Sequence, residues 1–230
     1  IPLKDLALSF ASTALPEQPR FVADHVDYLL KQVIPYCVNT GSPRFIGHMT
    51  SALPYFLISL SKCMVALHQN VVKIETSRAL TLLERQVLGI LHRLVYALSP
   101  AFYRTNLHNR HTTLGVLGSG GTAANITALW TFRNRFVRRV LREHADQGFF
   151  EALRQGGYRG ACFFVSSRGH YSFRKAADLL GLGQKNCIQV PVTPKHRINL
   201  VQLEKAIARA KSEGLLPLAI CGIAGSTETG

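Results

Sequence analysis

A glycine-rich segment is the first part of this sequence that could carry chemistry. Gly118-Ser119-Gly120-Gly121-Thr122 follows the apolar run Leu114 to Leu117 and precedes a long amphipathic stretch, which predicts a strand, a glycine turn and a helix. Such a turn can present several backbone N–H groups at a helix N-terminus, where the helix dipole also favours an anion. The segment therefore indicates a phosphate site, although a tight turn whose glycines only permit close packing has the same pattern.

The glycine segment lacks the two commonest nucleotide-binding patterns. No Gly-Lys-Ser/Thr follows it, so it is not a Walker loop, and its glycine spacing is not GxGxxG. The pattern gives no special support to a dinucleotide.

Metal binding is not indicated by the histidines and cysteines. His108 and His111 are close in sequence, but no carboxylate or cysteine stands at ligand spacing from them. The five cysteines are odd in number and widely spaced, which favours buried free thiols over a disulfide framework or a CxxC metal site. We therefore predict no metal and a reducing, cytoplasmic setting.

Three segments together resemble one enzyme family. Ser119 to Asn125 resembles the SGG[ST]xAN phosphate motif of the group II pyridoxal-phosphate (PLP) decarboxylases, which act on glutamate, aspartate and aromatic amino acids. Ser167 to Ala177 resembles the SxxxHxSxxKA segment of that family, and Ala224 to Gly230 resembles its AGTTxxG turn, with Ser226 in place of the first threonine. The resemblance also extends to earlier segments, namely Pro43 to His48, Gln69-Asn70 and Glu84.

The resemblance implies PLP as cofactor and assigns residues to it. His170 would lie against the pyridine ring, within reach of the substrate's reacting carbon. Thr227 would approach the ring or its phenolic oxygen from the end of a strand. We interpret Asn125 as a residue that supports the turn and not as a direct ligand. The residues that would hold the phosphate are Ser119, Gly120, Gly121 and Thr122.

A loop in the first fifty residues is a candidate for the substrate pocket. By the resemblance, Phe45 and His48 would line that pocket, often across a dimer interface. A loop containing phenylalanine and histidine is commonplace, and a purely structural role for these two residues stays open.

The elements that must position these residues divide the chain in two. The pattern of residues 1–105 predicts a helical segment. One helix is expected from about Pro54 to Gln69. Another is expected to start at a capping box formed by Thr81 and Glu84 and to end at Ser99-Pro100. After Asn109, short apolar runs alternate with helical stretches. The apolar runs are Ala161 to Val165, Cys187 to Val190 and Leu218 to Ile223, and the helical stretches between them are Phe173 to Leu180 and Leu200 to Lys211, the latter capped by Asn199.

This alternation predicts an α/β fold with a three-layer, mainly parallel sheet. The resemblance specifies it as the first, incomplete part of the large domain of the PLP aspartate-aminotransferase type (fold type I), over residues 106–230. The helical segment 1–105 would associate with a partner subunit in a homodimer.

The strongly basic balance, formally +14, does not by itself identify a partner. The arginines from Arg133 to Arg142 predict a solvated helix face, and Trp130, Phe132 and Phe136 fit the opposite, buried stripe. We therefore expect no nucleic-acid binding. The longest apolar stretch, Leu53 to Leu67, contains Lys62 and is too short for a membrane span.

The function implied by the resemblance is PLP-dependent α-decarboxylation of an acidic amino acid, glutamate or aspartate. In the family, the lysine that holds the cofactor and the aspartate that faces its ring nitrogen follow the AGTTxxG turn. We therefore expect this chain to be part of a longer or two-chain enzyme and to be inactive alone. Another fold type I reaction, transamination or sulfur transfer, and a non-catalytic basic interaction protein on a degenerate copy of the fold are the alternatives.

Overall fold

The computed structural model describes residues 2–47, 53–140 and 147–226. The chain forms two compact units, Ile1–Gln69 and Asn70–Gly230. The division between residues 105 and 106 inferred from the sequence stays a prediction.

The first unit is helical. Its α-helices are α1 (Leu3–Leu8), α2 (Val22–Tyr28) and α3 (Leu57–Leu67), and α2 continues through a π turn at Leu29–Val33 and a 3₁₀ turn at Ile34–Tyr36. The helix expected from about Pro54 to Gln69 is present as α3, which ends where His68 takes a left-handed φ of 42°. No residue of these helices is buried within the described chain.

The second unit begins with helices and continues as alternating strands and helices. Its helices are α4 (Ile74–Ser77), α5 (Ala79–Tyr96), α6 (Pro100–Asn106), α7 (Gly121–Val140), α8 (Phe149–Gln155), α9 (Ser172–Leu179) and α10 (Leu200–Ser212). Its strands are β1 (Gly160–Ser166), β2 (Cys187–Val190) and β3 (Leu215–Cys221). The three strands and the two helices between them were all predicted from the apolar runs.

The described strands form a parallel sheet in the order β2-β1-β3. Successive side chains of a strand point to opposite faces of the sheet. On β1, Phe163 and Val165 join a core that contains residues of α7, α8 and α9, whereas Cys162 and Phe164 join a second core with α10. Helices therefore cover both faces, and the predicted three-layer arrangement is confirmed.

The strand expected at Leu114 to Leu117 is absent, and that prediction was wrong. The segment has no regular secondary structure and pairs with none of the described strands, and Thr113 Oγ1 instead donates to the carbonyl of Gly115 at 2.7 Å. Val116 is 66% exposed. An apolar run becomes a strand only when a neighbouring backbone completes its ladder, and none of the described strands does so here.

The helix ends also differ in part from the sequence-based expectation. Helix α5 begins at Ala79, so Thr81 lies inside it and donates to the carbonyl of Val71 at 3.2 Å; the predicted capping box was wrong. Ser99 does not close α5 but caps α6, where its Oγ accepts the Phe102 N–H at 3.2 Å. The cap predicted at Asn199 is confirmed, because its side chain accepts the Gln202 N–H at 3.1 Å.

Arg85 of α5 holds the segment that leads to the glycine turn. Its guanidinium donates to the carbonyl oxygens of Leu107 (3.0 Å), Asn109 (2.5 Å) and Thr112 (2.9 Å). Hydrogen bonds from a charged donor are stronger than neutral ones. One side chain therefore fastens this irregular segment to a regular helix.

The aromatic residues of α7 are less buried than their spacing predicted. Phe136 packs against the core as expected, but Trp130 is 49% exposed and Phe132 is 56% exposed. Successive helical residues are about 100° apart around the axis, so Trp130 lies to one side of the buried Leu129. Arg133 also differs from the expected solvated arginines, because its guanidinium donates to the carbonyl of Leu180 at 2.9 Å.

The five cysteines are free, and only some of them are buried. Burial raises the pKa of the thiols of Cys162 and Cys187 to about 11, so both stay protonated near neutral pH. Cys37 and Cys63 are exposed, contrary to the expectation of mostly buried thiols. Within the described ranges, no helix is long and apolar enough to cross a bilayer.

Candidate active site

The glycine turn forms the N-terminus of α7. Gly120 has a φ of 137°, a conformation that strongly favours glycine, and α7 begins at the next residue. Ala124 donates its N–H to the carbonyl of Gly120 at 3.0 Å. The preceding N–H groups, of Gly121, Thr122 and Ala123, have no protein acceptor within the described part of the chain. These are the donors that a helix N-terminus offers to an anion.

The glycines of this turn face different surroundings. A Cβ built on Gly118 would lie 3.4 Å from the backbone nitrogen of Ala124, so this glycine permits close packing. A Cβ built on Gly120 or Gly121 would meet no described atom within 4 Å. The turn therefore combines unpaired donors with open space, and its residues fit a phosphate group.

His170 lies on the loop between β1 and α9. The loop is tightly turned, because the Gly169 N–H donates to the carbonyl of Ser166 at 2.7 Å. The His170 side chain is exposed, and its Nδ1 accepts the backbone N–H of Ser172 at 3.2 Å. Its ring centroid is 4.1 Å from that of Tyr171. The imidazole is thus accessible on a loop that fixes one of its nitrogens.

A buried serine connects His170 to α7. Ser172 is 0% exposed, and its Oγ lies 2.9 Å from His170 Nδ1 and 2.9 Å from Asn125 Nδ2. The structure thereby joins the Ser119 to Asn125 motif to the Ser167 to Ala177 motif. Asn125 supports the histidine loop, a contact that sequence reasoning did not foresee, and Ser172 was not singled out at all. The sequence signal for Ser172 is its place as the second serine of the SxxxHxSxxKA pattern, two residues after His170.

Replacing Gly169 by alanine is expected to disturb this loop. An added Cβ would lie 2.7 Å from Val165 Cγ2 and 2.9 Å from the backbone oxygen of Ser166, closer than such atoms can approach. We expect a loss of stability of about 1–3 kcal/mol, measured by urea unfolding, together with changed resonances of the His170 ring. Gly222→Ala is the control, since a Cβ there meets no described atom within 4 Å. Equal stability of the two variants would contradict the prediction.

A basic cavity opens at the carboxyl ends of β1 and β3. Arg168 lies on the same loop as His170, and three further basic residues, Lys195, His196 and Arg197, follow β2. The carboxyl ends of parallel strands are where open α/β sheets bind ligands. The cavity places positive charge near the ends of these strands.

Two of the predicted site residues, His48 and Thr227, lie outside the described residues. Phe45 belongs to the first unit, where it is half-buried and donates its N–H to the carbonyl of Ser42 at 2.9 Å. Its role in substrate binding stays a prediction, as do those of His48 and Thr227. Of the two histidines considered for a metal, His111 accepts a hydrogen bond from Arg110 at 2.9 Å.

The sequence matches a known protein family. The model of the pyridoxal-dependent decarboxylase conserved domain matches residues 8–230. The chain belongs to this family. It is 50% identical to the aspartate 1-decarboxylase of Aliivibrio fischeri, over 100% of this chain and 42% of that protein. It is 26% identical to the human acidic amino acid decarboxylase GADL1, over 88% of this chain and 34% of that protein. This pyridoxal-dependent decarboxylase chain therefore spans less than half the length of these relatives.

Solved structures of decarboxylases share its fold. The glutamate decarboxylase domain of a Vibrio parahaemolyticus diaminobutyrate-pyruvate transaminase and L-2,4-diaminobutyrate decarboxylase matches with a TM-score of 0.80 at 23% identity, over 97% of this chain and 45% of that one. Mouse CSAD matches with a TM-score of 0.72 at 25% identity, over 96% of this chain and 41% of that one. The predicted class, part of a fold type I large domain, is confirmed.

Proposed function

We propose that the complete protein containing this chain is a PLP-dependent α-decarboxylase of acidic amino acids, with aspartate as its main substrate. The observation that carries the proposal is the hydrogen-bonded connection from the phosphate-type turn on α7 through Asn125 and Ser172 to His170. It connects a helix end whose first N–H groups have no acceptor in the described chain with an accessible imidazole. The 50% identity to an aspartate 1-decarboxylase supports the choice of substrate.

The phosphate of the cofactor would be held by the helix end. The N–H groups of Gly121, Thr122 and Ala123 would donate to it, and the Thr122 hydroxyl could add a further donor. When bound, PLP supplies an electron sink for the pair of electrons left behind as carbon dioxide departs. The protein's task is to orient the bond that breaks and to manage the proton that replaces the carboxylate.

His170 would carry out that orientation. An imidazole can pack against a flat aromatic ring while a ring nitrogen makes a directed hydrogen bond. Because Nδ1 is already bonded to Ser172, Nε2 is the nitrogen left for the substrate. We assign to His170 the alignment of the substrate carboxylate and proton transfer at the α-carbon.

Preference for an acidic amino acid is supported by charge. Arg168, Lys195 and Arg197 line the cavity at the carboxyl ends of the strands, and the whole chain is formally +14. A cleft lined by one sign of charge concentrates ligands of the opposite sign. We expect this field to favour substrates that carry a second carboxylate.

We also propose a homodimer in the cytoplasm. Leu94 and Val95 of α5 are exposed in the single chain, as are Ile58 and Val65 of α3, and large exposed apolar surfaces usually mark interfaces. The free cysteines support a reducing setting. Light scattering of the complete protein at twice the monomer mass is the expected result.

The test of the reaction is product analysis with carboxyl-labelled substrates. The complete enzyme with PLP should release labelled carbon dioxide from L-aspartate labelled at carbon 1 and form β-alanine in equal amount. Glutamate should react more slowly. Formation of a keto acid without carbon dioxide would instead indicate transamination, and neither PLP absorbance nor product would indicate the non-catalytic alternative.

A further inference from the structure

We infer that Asn125 and Ser172 are positioning residues that fix the tautomer of His170, with the proton on Nε2. The inference deepens the proposed function and rests on it, since it concerns the histidine assigned there to the substrate. It depends on the direction of three hydrogen bonds: the backbone N–H can only donate, and the direction of the bond between the Ser172 hydroxyl and His170 follows from it.

The first of these bonds comes from the backbone. The Ser172 N–H lies 3.2 Å from His170 Nδ1, and a backbone N–H can only donate. Nδ1 must therefore offer a lone pair. In a neutral imidazole one nitrogen carries the proton and the other accepts, so the proton belongs on Nε2.

The second and third bonds involve the Ser172 hydroxyl. The amide nitrogen of Asn125 donates to Ser172 Oγ at 2.9 Å and so occupies one lone pair of that oxygen. The hydroxyl proton can then point at His170 Nδ1, which lies 2.9 Å from Oγ, and share the single lone pair of that nitrogen with the Ser172 N–H. All donors run in one direction, from Asn125 to Ser172 to His170.

Burial makes this direction hard to reverse. Ser172 is 0% exposed, so solvent does not offer its hydroxyl an alternative partner. Hydrogen bonds in a chain polarise one another, and a low local dielectric strengthens them. Asn125 also lies on α7, the helix that starts at the phosphate-type turn, so one helix positions both the anion donors and the imidazole.

The consequence is that His170 presents a hydrogen-bond donor to the site. Nε2–H can donate a hydrogen bond to a substrate carboxylate, whereas the other tautomer would present only a lone pair there. The Asn125–Ser172 pair would thus decide what His170 can do, without touching substrate or cofactor itself.

The decisive experiment compares Asn125→Asp with Asn125→Ala. The aspartate has nearly the shape of asparagine, but its carboxylate accepts from the Ser172 hydroxyl and turns that proton away from His170. The alanine removes the donor yet leaves the hydroxyl free to point at Nδ1. The readout is the ¹⁵N NMR spectrum of the ring nitrogens in the PLP-free, complete enzyme at alkaline pH, with His170 identified by its loss in His170→Gln.

We expect the wild type to show a protonated Nε2 and an unprotonated Nδ1. Asn125→Asp should lower the ratio of the Nε2–H to the Nδ1–H tautomer about 5-fold or more, and Asn125→Ala by less than about 2-fold. The decarboxylation kcat should follow the same order, falling about 10-fold or more in Asn125→Asp, with little change in KM.

A packing role for Asn125 predicts the opposite order, because alanine removes more atoms than aspartate does. An unchanged tautomer in Asn125→Asp, or a larger effect of alanine, overturns the inference. If Asn125→Asp does not fold, Ser172→Ala replaces it: removal of the hydroxyl should lower the same ratio about 5-fold, and an unchanged ratio overturns the inference.

The proposed function fails separately. If His170→Ala keeps wild-type turnover, the role assigned to His170 is wrong whatever the tautomer is. If His170→Ala is inactive but Asn125→Asp leaves the tautomer unchanged, the proposed function stands and only the inference is lost.

Discussion

Replacing His170 by alanine is expected to lower single-turnover decarboxylation by the complete enzyme about 100-fold. The imidazole would be lost from the cofactor face, so the bond to the leaving carboxylate would be less well aligned with the ring, and small misplacements of reacting groups have effects of this size. PLP absorbance should change little, since the donors of Gly121 and Thr122 are untouched. Rapid-quench measurement of carbon dioxide release gives the rate.

Two further variants separate the roles of the imidazole. His170→Phe should recover the ring contact but not hydrogen bonding or proton transfer, and we expect it to restore only part of the lost rate. His111→Ala is the control, because His111 is also exposed but contacts Arg110 instead of the Ser172 network. Wild-type rates in His170→Ala would show that His170 is structural and that the main site assignment is wrong.

Replacing Gly121 by leucine is expected to weaken PLP binding about 10- to 100-fold, as measured by titration of the PLP-free enzyme. The side chain would enter the open space beside the N-terminal donors of α7 and displace the phosphate from one or more charge-assisted hydrogen bonds. Folding should be preserved, because no described atom lies within 4 Å of a Cβ at this position.

The matched control is Ala128→Leu, which adds bulk to an exposed position of the same helix away from the turn. It should leave the PLP affinity unchanged. Gly120→Leu tests a different effect, since Gly120 has a φ of 137° and any side chain there strains the backbone. Unchanged cofactor affinity in Gly121→Leu would show that the glycine turn has only a structural role.

Much of the second unit was predictable because burial leaves a periodic trace in a sequence. The run Ala161 to Val165 is short and continuously apolar, which is typical of parallel strands covered on both faces, and Cys187 to Val190 is apolar except for Gln189. Both are strands, and the cap predicted at Asn199 is also present. These features depend on neighbours close in sequence or on burial alone.

Predictions failed where the outcome depended on distant partners. Leu114 to Leu117 has the composition of a strand, but no described strand completes its ladder. Thr81 and Glu84 have capping-box spacing, yet α5 starts earlier, at Ala79. The capping-box spacing does not predict the turn that precedes this helix. Trp130 fits an apolar stripe by residue type, but it is 49% exposed, whereas the neighbouring Leu129 joins the core that also contains residues of α8 and α9.

Local patterns in the sequence were enough to predict the family, the order of strands and helices from β1 to β3, and the segments that could bind a phosphate and present a histidine. The contact between Asn125 and Ser172, which are 47 residues apart along the chain, could not be predicted from local patterns because it forms only when the chain folds. That contact requires α7 and α9 to pack on the same face of the sheet. The direction of each hydrogen bond then depends on which donor and acceptor groups the packing brings together. Residue types restrict what His170 could do, and the packing of α7 against α9 adds the Asn125 donor to the Ser172 hydroxyl that lies beside Nδ1.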